Sequence, residues 1–153
     1  MSRKSRYRVI SDILSTLLLL ILAALLISRI VLLIFGIPSP IAVVSGTSME
    51  PTLVEGDMVI LYKPPPSDIK PGDVIVYLSK TGKYIIHRVI DVEVVNGEYY
   101  YRTRGDNVLI EDYVQYDGIY GISYKRVIGK VLSINGIIFK IPYIGYLSLL
   151  LYS

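Results

Sequence analysis

Catalysis by a hydroxyl needs a base to take its proton and a third group to hold that base. Three stretches of this sequence supply those residue types. Ser48 sits in SGTSMEPTL, residues 45–53, a polar turn ahead of the first long apolar strand. His87, in YIIHRVI, is the only histidine among 153 residues. Its imidazole is therefore the one side chain whose unperturbed pKa, about 6.5, suits proton shuttling near neutrality. Asp106 and Asp112 lie in TRGDNVLIED, the first within a Gly-Asp-Asn turn and the second beyond it. A carboxylate at either position is a candidate for fixing the tautomer of a histidine base. Each residue also has a plainer reading. A serine in a turn is ordinarily a turn residue, a histidine among apolar strand neighbours is ordinarily a satisfied core residue, and Gly-Asp-Asn is ordinary turn chemistry. The chain has no cysteine, which removes thiolate catalysis, disulfides and thiolate metal sites together. One histidine makes no zinc set, so neither a metal nor a cofactor is expected.

Strands must position these residues. Runs rich in Val, Ile and Tyr recur at IAVVS, DMVILYK, DVIVYL, YIIHRVIDVEVV, EYYYRTR and YKRVIGKVLSI, separated by Gly, Pro and Asn. VVNGEY and SINGII each hold the Asn-Gly pair of a type I′ hairpin, and KPPPSDIKPGD must be loop because proline cannot donate to a ladder. The reading is mainly β over residues 36–153. In a strand, His87 shares one face with Ile85 and Val89, while Ile86, Arg88 and Ile90 take the other. Asp57 and Asp73 each follow a glycine at the start of a strand and read as turn-to-strand junctions. The terminal IPYIGYLSLLLYS is too short to span a membrane. It reads either as a final strand or as an apolar patch touching a bilayer.

Ahead of this domain, residues 13–35 form an apolar run broken only by Arg29. As a helix it measures about 34 Å, enough to cross a hydrocarbon core of about 30 Å. Arg29 lies near its distal end, where the long stem reaches the interface. The run is longer than the apolar region of a cleavable signal peptide and lacks a small-x-small cleavage site, so a retained anchor is expected. Five of the 16 basic residues fall within residues 1–35 against one acidic residue, and residues 36–153 hold eleven basic and twelve acidic ones. The basicity therefore belongs to the flank of the span and not to a phosphate-binding surface, which excludes a nucleic-acid partner. The basic cluster MSRKSRYR before the span places the N-terminus in the cytoplasm. The expected organisation is a cytoplasmic tail over 1–12, a transmembrane anchor over 13–35 and an extracytoplasmic β-rich domain over 36–153.

Taken in order, SMEPTL (48–53), PGDVIVY (71–77), IIHRV (85–89) and RGDN (104–107), with Asp112 beyond and one N-terminal span in front, resemble type I signal peptidase. The branch is the archaeal and endoplasmic-reticulum one, in which His stands where bacterial enzymes carry a catalytic Lys. The resemblance covers nearly the whole chain, from the anchor to IPYIGY. It implies the signal-peptidase β-structure, a small catalytic core lying against the membrane with an apolar surface. It also implies a membrane-anchored serine endopeptidase that cuts signal peptides from exported preproteins through an acyl-enzyme, with small side chains at the first and third positions before the cut. Ser48 would be the nucleophile, His87 the general base and later acid, and Asp112 or Asp106 the supporting acid. Asp106, between Gly105 and Asn107, is placed to bond its own backbone, which favours Asp112 as the orienting group. Met49 and Pro51 would shape the turn and wall the site. Gly46 stands where bacterial relatives often carry an oxyanion-binding hydroxyl, which leaves the Ser48 backbone N–H with Ser45 or Thr47 as second donor. The implied partners are preproteins, the lipid bilayer and the secretion machinery. The rival reading from another class is a catalytically silent, membrane-tethered β-domain that binds secreted chains or partner subunits. A self-cleaving regulatory peptidase fits less well, given the N-terminal span and the absence of a DNA-binding region.

Overall fold

Alternating Val, Ile and Tyr between Gly, Pro and Asn turns folds here into antiparallel strands, for the reason that branched and aromatic side chains pack well on a pleated, half-buried surface. The computed structural model describes residues 3–37 and 39–146. Its helix α1 is Arg3–Phe35. The strands are β1 Ile41–Val43, β2 Met58–Tyr62, β3 Val74–Leu78, β4 Tyr84–Val95, β5 Glu98–Arg104, β6 Ile122–Ser123, β7 Val127–Val131, β8 Ser133–Ile134, β9 Ile137–Ile138 and β10 Lys140–Ile141. The main sheet runs β1-β2-β7-β3-β4-β5-β6, with β10 also on β2, and β8-β9 form a separate hairpin. Its paired strands are antiparallel. Both Asn-Gly pairs make the expected turns, with Asn96 and Gly97 at φ of 52° and 80° and Asn135 and Gly136 at 52° and 79°, the left-handed values a type I′ turn demands.

The domain has two cores, one on each side of β3. Val74 and Val76 join Met49, Leu53, Val59, Leu61 and Val131 on one side. Ile75 and Tyr77 join Val89, Tyr101, Tyr116 and Ile122 on the other. A strand buried on both faces loses its polar alternation, which is why VIV carries no polar residue and the Tyr77 hydroxyl is the one polar side-chain group of β3. On β4 the period-two pattern holds, with Ile86 packed against the first core and Ile85 and Val89 in the second.

Three boundaries differ from the sequence reading. Helix α1 extends back beyond the apolar run to Arg3; straight-chain basic residues are good helix formers, so the basic flank continues the helix. In YKRVIGKVLSI the first three residues form a 3-10 turn, with the Ser123 hydroxyl accepting from the Lys125 N–H, and the strand starts only at Val127. The C-terminal segment contributes a short strand at Lys140–Ile141 against β2 and then a turn; residues 147–153 of that segment lie outside the described residues. Residues Asp12–Phe35 of α1 are long and apolar enough to cross a membrane, and the most apolar part of that stretch has no buried residue. Where the helix ends, Phe35 packs on the first core and its carbonyl accepts from the Lys63 N–H at 2.8 Å.

Candidate active site

The turn that carries Ser48 is held from below. Met49 and Leu53 are buried in the first core, and the Leu53 N–H donates to the Met49 carbonyl at 2.9 Å. Burial of those two apolar side chains fixes the turn and leaves Ser48 facing outward. Two backbone bonds, Val44 N–H to Asp57 O and Gly56 N–H to Val44 O, both 2.9 Å, clamp the entry and exit of the loop. Gly46 adopts φ of +88°, open to glycine at little cost, and its N–H faces the Glu55 carboxylate at 3.4 Å. Ser45 and Ser48 line a cleft of about 360 Å³ with Ala42, Val43, Ile86 and His87. Met49 lies beneath this cleft as core, and Thr47 turns its carbonyl to the Asn107 side-chain amide at 3.2 Å.

His87 reaches this turn from β4. Its Nε2 lies 3.0 Å from Ser48 Oγ and its Nδ1 lies 2.6 Å from Asp112 Oδ2. An ionised carboxylate only accepts, so Nδ1 carries the proton and Nε2 is left to accept from the serine hydroxyl. Burial by itself raises the Asp112 pKa, but hydrogen bonds from His87, Thr103 and the Tyr77 hydroxyl hold it below the ordinary carboxylate value. Those hydroxyls are close: Thr103 Oγ1 at 2.6 Å and Tyr77 OH at 2.9 Å.

Asp106 is placed differently. Its two oxygens accept from Arg88 Nε at 2.8 Å and from an Arg88 terminal nitrogen at 2.6 Å, a bidentate pair. The expected bond of Asp106 to its own backbone gives way to this fork, because Arg88 projects from the opposite face of β4 to His87 and meets the turn. The same guanidinium donates to the Gly72 carbonyl at 2.7 Å. Burial raises the Asp106 pKa, and the Arg88 bonds outweigh it, so the carboxyl lies below its ordinary value. The Gly-Asp-Asn turn itself touches the serine loop. Asn107 N–H donates to the Ser48 carbonyl at 2.8 Å, and a Cβ on Gly105 would lie 2.5 Å from that carbonyl and 3.0 Å from His87 Nε2. Glycine is required at 105 because any side chain there would push the serine and histidine apart.

Tyr77, Thr103 and Arg88 escaped the sequence reading. The available signal was register. Ile75 pairs with His87, which puts Tyr77 on the histidine's face, and Val89 pairs with Thr103, which puts the threonine there too. Asp57 and Asp73 are junction residues as read. Asp57 is fully buried and paired with Lys140 at 2.6 Å, and Asp73 pairs with Lys130 at 2.7 Å. Among the described residues there is no group of three or more His, Asp or Glu able to hold a metal.

Comparison with known proteins points to one family. The family model described as "Signal peptidase, peptidase S26" matches residues 13–115. A protein of Plasmodium falciparum named signal peptidase complex catalytic subunit SEC11 is 35% identical over 133 residues, covering 85% of this chain and 68% of the relative. The human protein named signal peptidase complex catalytic subunit SEC11C is 30% identical over 136 residues, covering 87% and 68%.

Proposed function

We propose, because this chain belongs to the signal peptidase family, peptidase S26, that it is a membrane-anchored serine endopeptidase cleaving N-terminal signal peptides from preproteins. The observation that carries the reading is the line from Ser48 Oγ through His87 to Asp112, with steps of 3.0 and 2.6 Å, whose first two members line a cleft. Ser48 Oγ attacks the scissile carbonyl as Nε2 takes its proton, and Asp112 stabilises the imidazolium that forms and holds its tautomer. The imidazolium then gives that proton to the leaving amine. A water, deprotonated by the same nitrogen, releases the acyl group and restores Ser48.

The tetrahedral oxyanion is assigned to the Ser48 backbone N–H, with Ser45 as second donor. Ser45 lines the cleft beside Ser48, which favours it over Thr47. The substrate enters extended. Among the described residues strand β1 is an edge of the sheet, paired with β2 alone, and Ala42 and Val43 from it form a cleft wall, so a peptide adding to that edge would present its carbonyl to Ser48.

The tail over 1–12, the anchor over 13–35 and the domain over 36–153 are assigned to cytoplasm, membrane and exterior of a cytoplasmic membrane. The basic flank of the span supports that orientation. The relatives carry names that make them subunits of a complex, so association with further secretion components is part of the proposal. Cleavage of a preprotein by the purified full chain tests it, with Ser48→Ala and His87→Ala as variants. Both should lose at least a thousandfold in kcat, as expected for members of a unit that acts together. Cleavage at the same site by both variants would overturn the assignment and favour a silent binding domain.

A further inference from the structure

We infer that Tyr77 is a positioning residue for this reaction: its hydroxyl, together with that of Thr103, fixes the carboxylate oxygen of Asp112 that holds His87. The inference rests on the roles proposed above for Ser48, His87 and Asp112. One oxygen, Asp112 Oδ2, meets three donors, His87 Nδ1 at 2.6 Å, Thr103 Oγ1 at 2.6 Å and Tyr77 OH at 2.9 Å. Asp112 itself lies in a connection between β5 and a 3-10 turn, Tyr113–Gln115. A carboxylate on such a segment has a broad torsion about its last bond. The two hydroxyls come from strands β3 and β5 on either side of β4, so three neighbouring strands together fix where the carboxylate points.

Packing alone gives no reason for a hydroxyl at position 77. Tyr77 is wholly buried in the second core among Ile75, Val89, Tyr101 and Val127, and a phenylalanine ring would fill the same space. A buried phenol without a partner is costly, and here its partner is the acid behind the histidine. Burial and the negative charge of Asp112 push the Tyr77 pKa far above its ordinary value, so the phenol stays protonated and acts only as a donor. Two neutral donors spread the charge of the carboxylate and moderate its hold on the imidazolium. Loss of one leaves the carboxylate less satisfied, so it grips that proton more tightly and draws the imidazole out of the alignment with Ser48 that the shared donors maintain. The other charged groups around this set are Arg126 near Tyr77, Asp106 near His87, and Glu111 with Arg102 and Tyr116 beside Asp112. The substitutions below leave all of them in place.

The test is preprotein cleavage by the full chain over a range of pH for Tyr77→Phe, Thr103→Val and Thr103→Ser. Tyr77→Phe should lower kcat about tenfold, the worth of one hydrogen bond to a charged group, with KM changed by less than about twofold. Its acidic limb should move to higher pH. Thr103→Val should behave alike, Thr103→Ser should restore near-normal turnover, and the double Tyr77→Phe, Thr103→Val variant should lose at least the product of the two. Because His87 is the only histidine, its Nδ1 proton gives a single NMR resonance, which should move downfield in Tyr77→Phe as the bond to Asp112 tightens. A folded Tyr77→Phe protein with unchanged kcat, acidic limb and Nδ1 resonance would overturn the inference. Should that variant not fold, equal turnover by Thr103→Val and Thr103→Ser would overturn it instead. Ser48→Ala in the same assay separates the two failures: activity there would overturn the underlying site assignment, whereas an inactive Ser48→Ala beside an unaffected Tyr77→Phe would overturn only the role of the tyrosine.

Discussion

At the scale of single residues the two carboxylates of TRGDNVLIED divide their work by partner. Asp112 faces His87, and Asp106 holds the Gly-Asp-Asn turn to Arg88. Asp112→Asn keeps the size of the side chain but removes the charge that stabilises an imidazolium and selects its tautomer, so turnover should fall by about 10⁴ with the thermal midpoint little changed. Asp106→Asn breaks a bidentate, half-buried ion pair; its main cost should be about 1–2 kcal/mol of stability. Paired turnover and thermal-unfolding measurements on the two variants check this division, and a dead but fully stable Asp106→Asn protein would reverse it. His87 was legible in the sequence because it is the one histidine, and Ser48 and both aspartates because they fall in or just beyond the motifs SMEPTL and RGDN. Tyr77 was not, since one tyrosine among 14 in a strand-rich chain reads as packing until register shows what its hydroxyl faces. Arg88 was hidden by its neighbour: the same alternation that singled out His87 assigned Arg88 to the other face and gave no hint of a partner in a turn beyond the next strand.

At the scale of elements, the six strand-forming runs and both hairpins, including the β8-β9 pair around Asn135 and Gly136, could be read from composition and turn chemistry, while the two-residue strands β6 and β10 could not. Such short strands carry too few residues for a period and exist because neighbours hold them. Strand β10 shows what that support does in return. Its Lys140 reaches the buried Asp57 at 2.6 Å and the Thr52 carbonyl at 3.0 Å, and so ties the C-terminal segment to the loop that follows Ser48. Burial raises the Asp57 pKa, but the bond from Lys140, the Val54 N–H and the charge of Lys140 hold it below the ordinary value. A lowered folded-state pKa contributes stability above the unfolded value, about 3.9, and that contribution is lost as pH falls through the lower folded value. Lys140→Met leaves the Asp57 charge buried without its cation, which should cost about 3 kcal/mol at neutral pH. In the variant the carboxyl takes up a proton more readily, so the deficit should shrink as pH falls toward about 4. Thermal unfolding of both proteins across pH checks the sign, and a deficit that is constant with pH would rule out the ion pair as its source.

At the scale of the whole molecule, one feature of α1 conflicts with an aqueous setting. Leu14, Leu19, Leu26, Leu33 and Ile34 are each more than half exposed along the helix, a liability in water and a requirement in hydrocarbon. The domain begins only a few residues after the helix ends, and the Phe35 carbonyl is bonded to Lys63, so the β-domain is joined closely to the end of the span. The proposed orientation rests on charge. Residues 1–35 hold five basic residues and a single acidic one, while residues 36–153 are nearly balanced, and a flank rich in Lys and Arg favours the cytoplasmic side. In right-side-out vesicles holding the full chain with a tag at its N-terminus, a protease added outside should digest the β-domain and leave the tag with α1 protected. In inverted vesicles the tag should be removed and the domain spared. If the cluster sets the direction of insertion, as proposed, reversing the charge of Arg3, Lys4, Arg6 and Arg8 to Glu should weaken this preference and give a mixed population. A domain protected from outside in right-side-out vesicles, with the tag clipped, would place the Ser48 cleft on the cytoplasmic side and remove the topological half of the proposed function while leaving its chemistry intact.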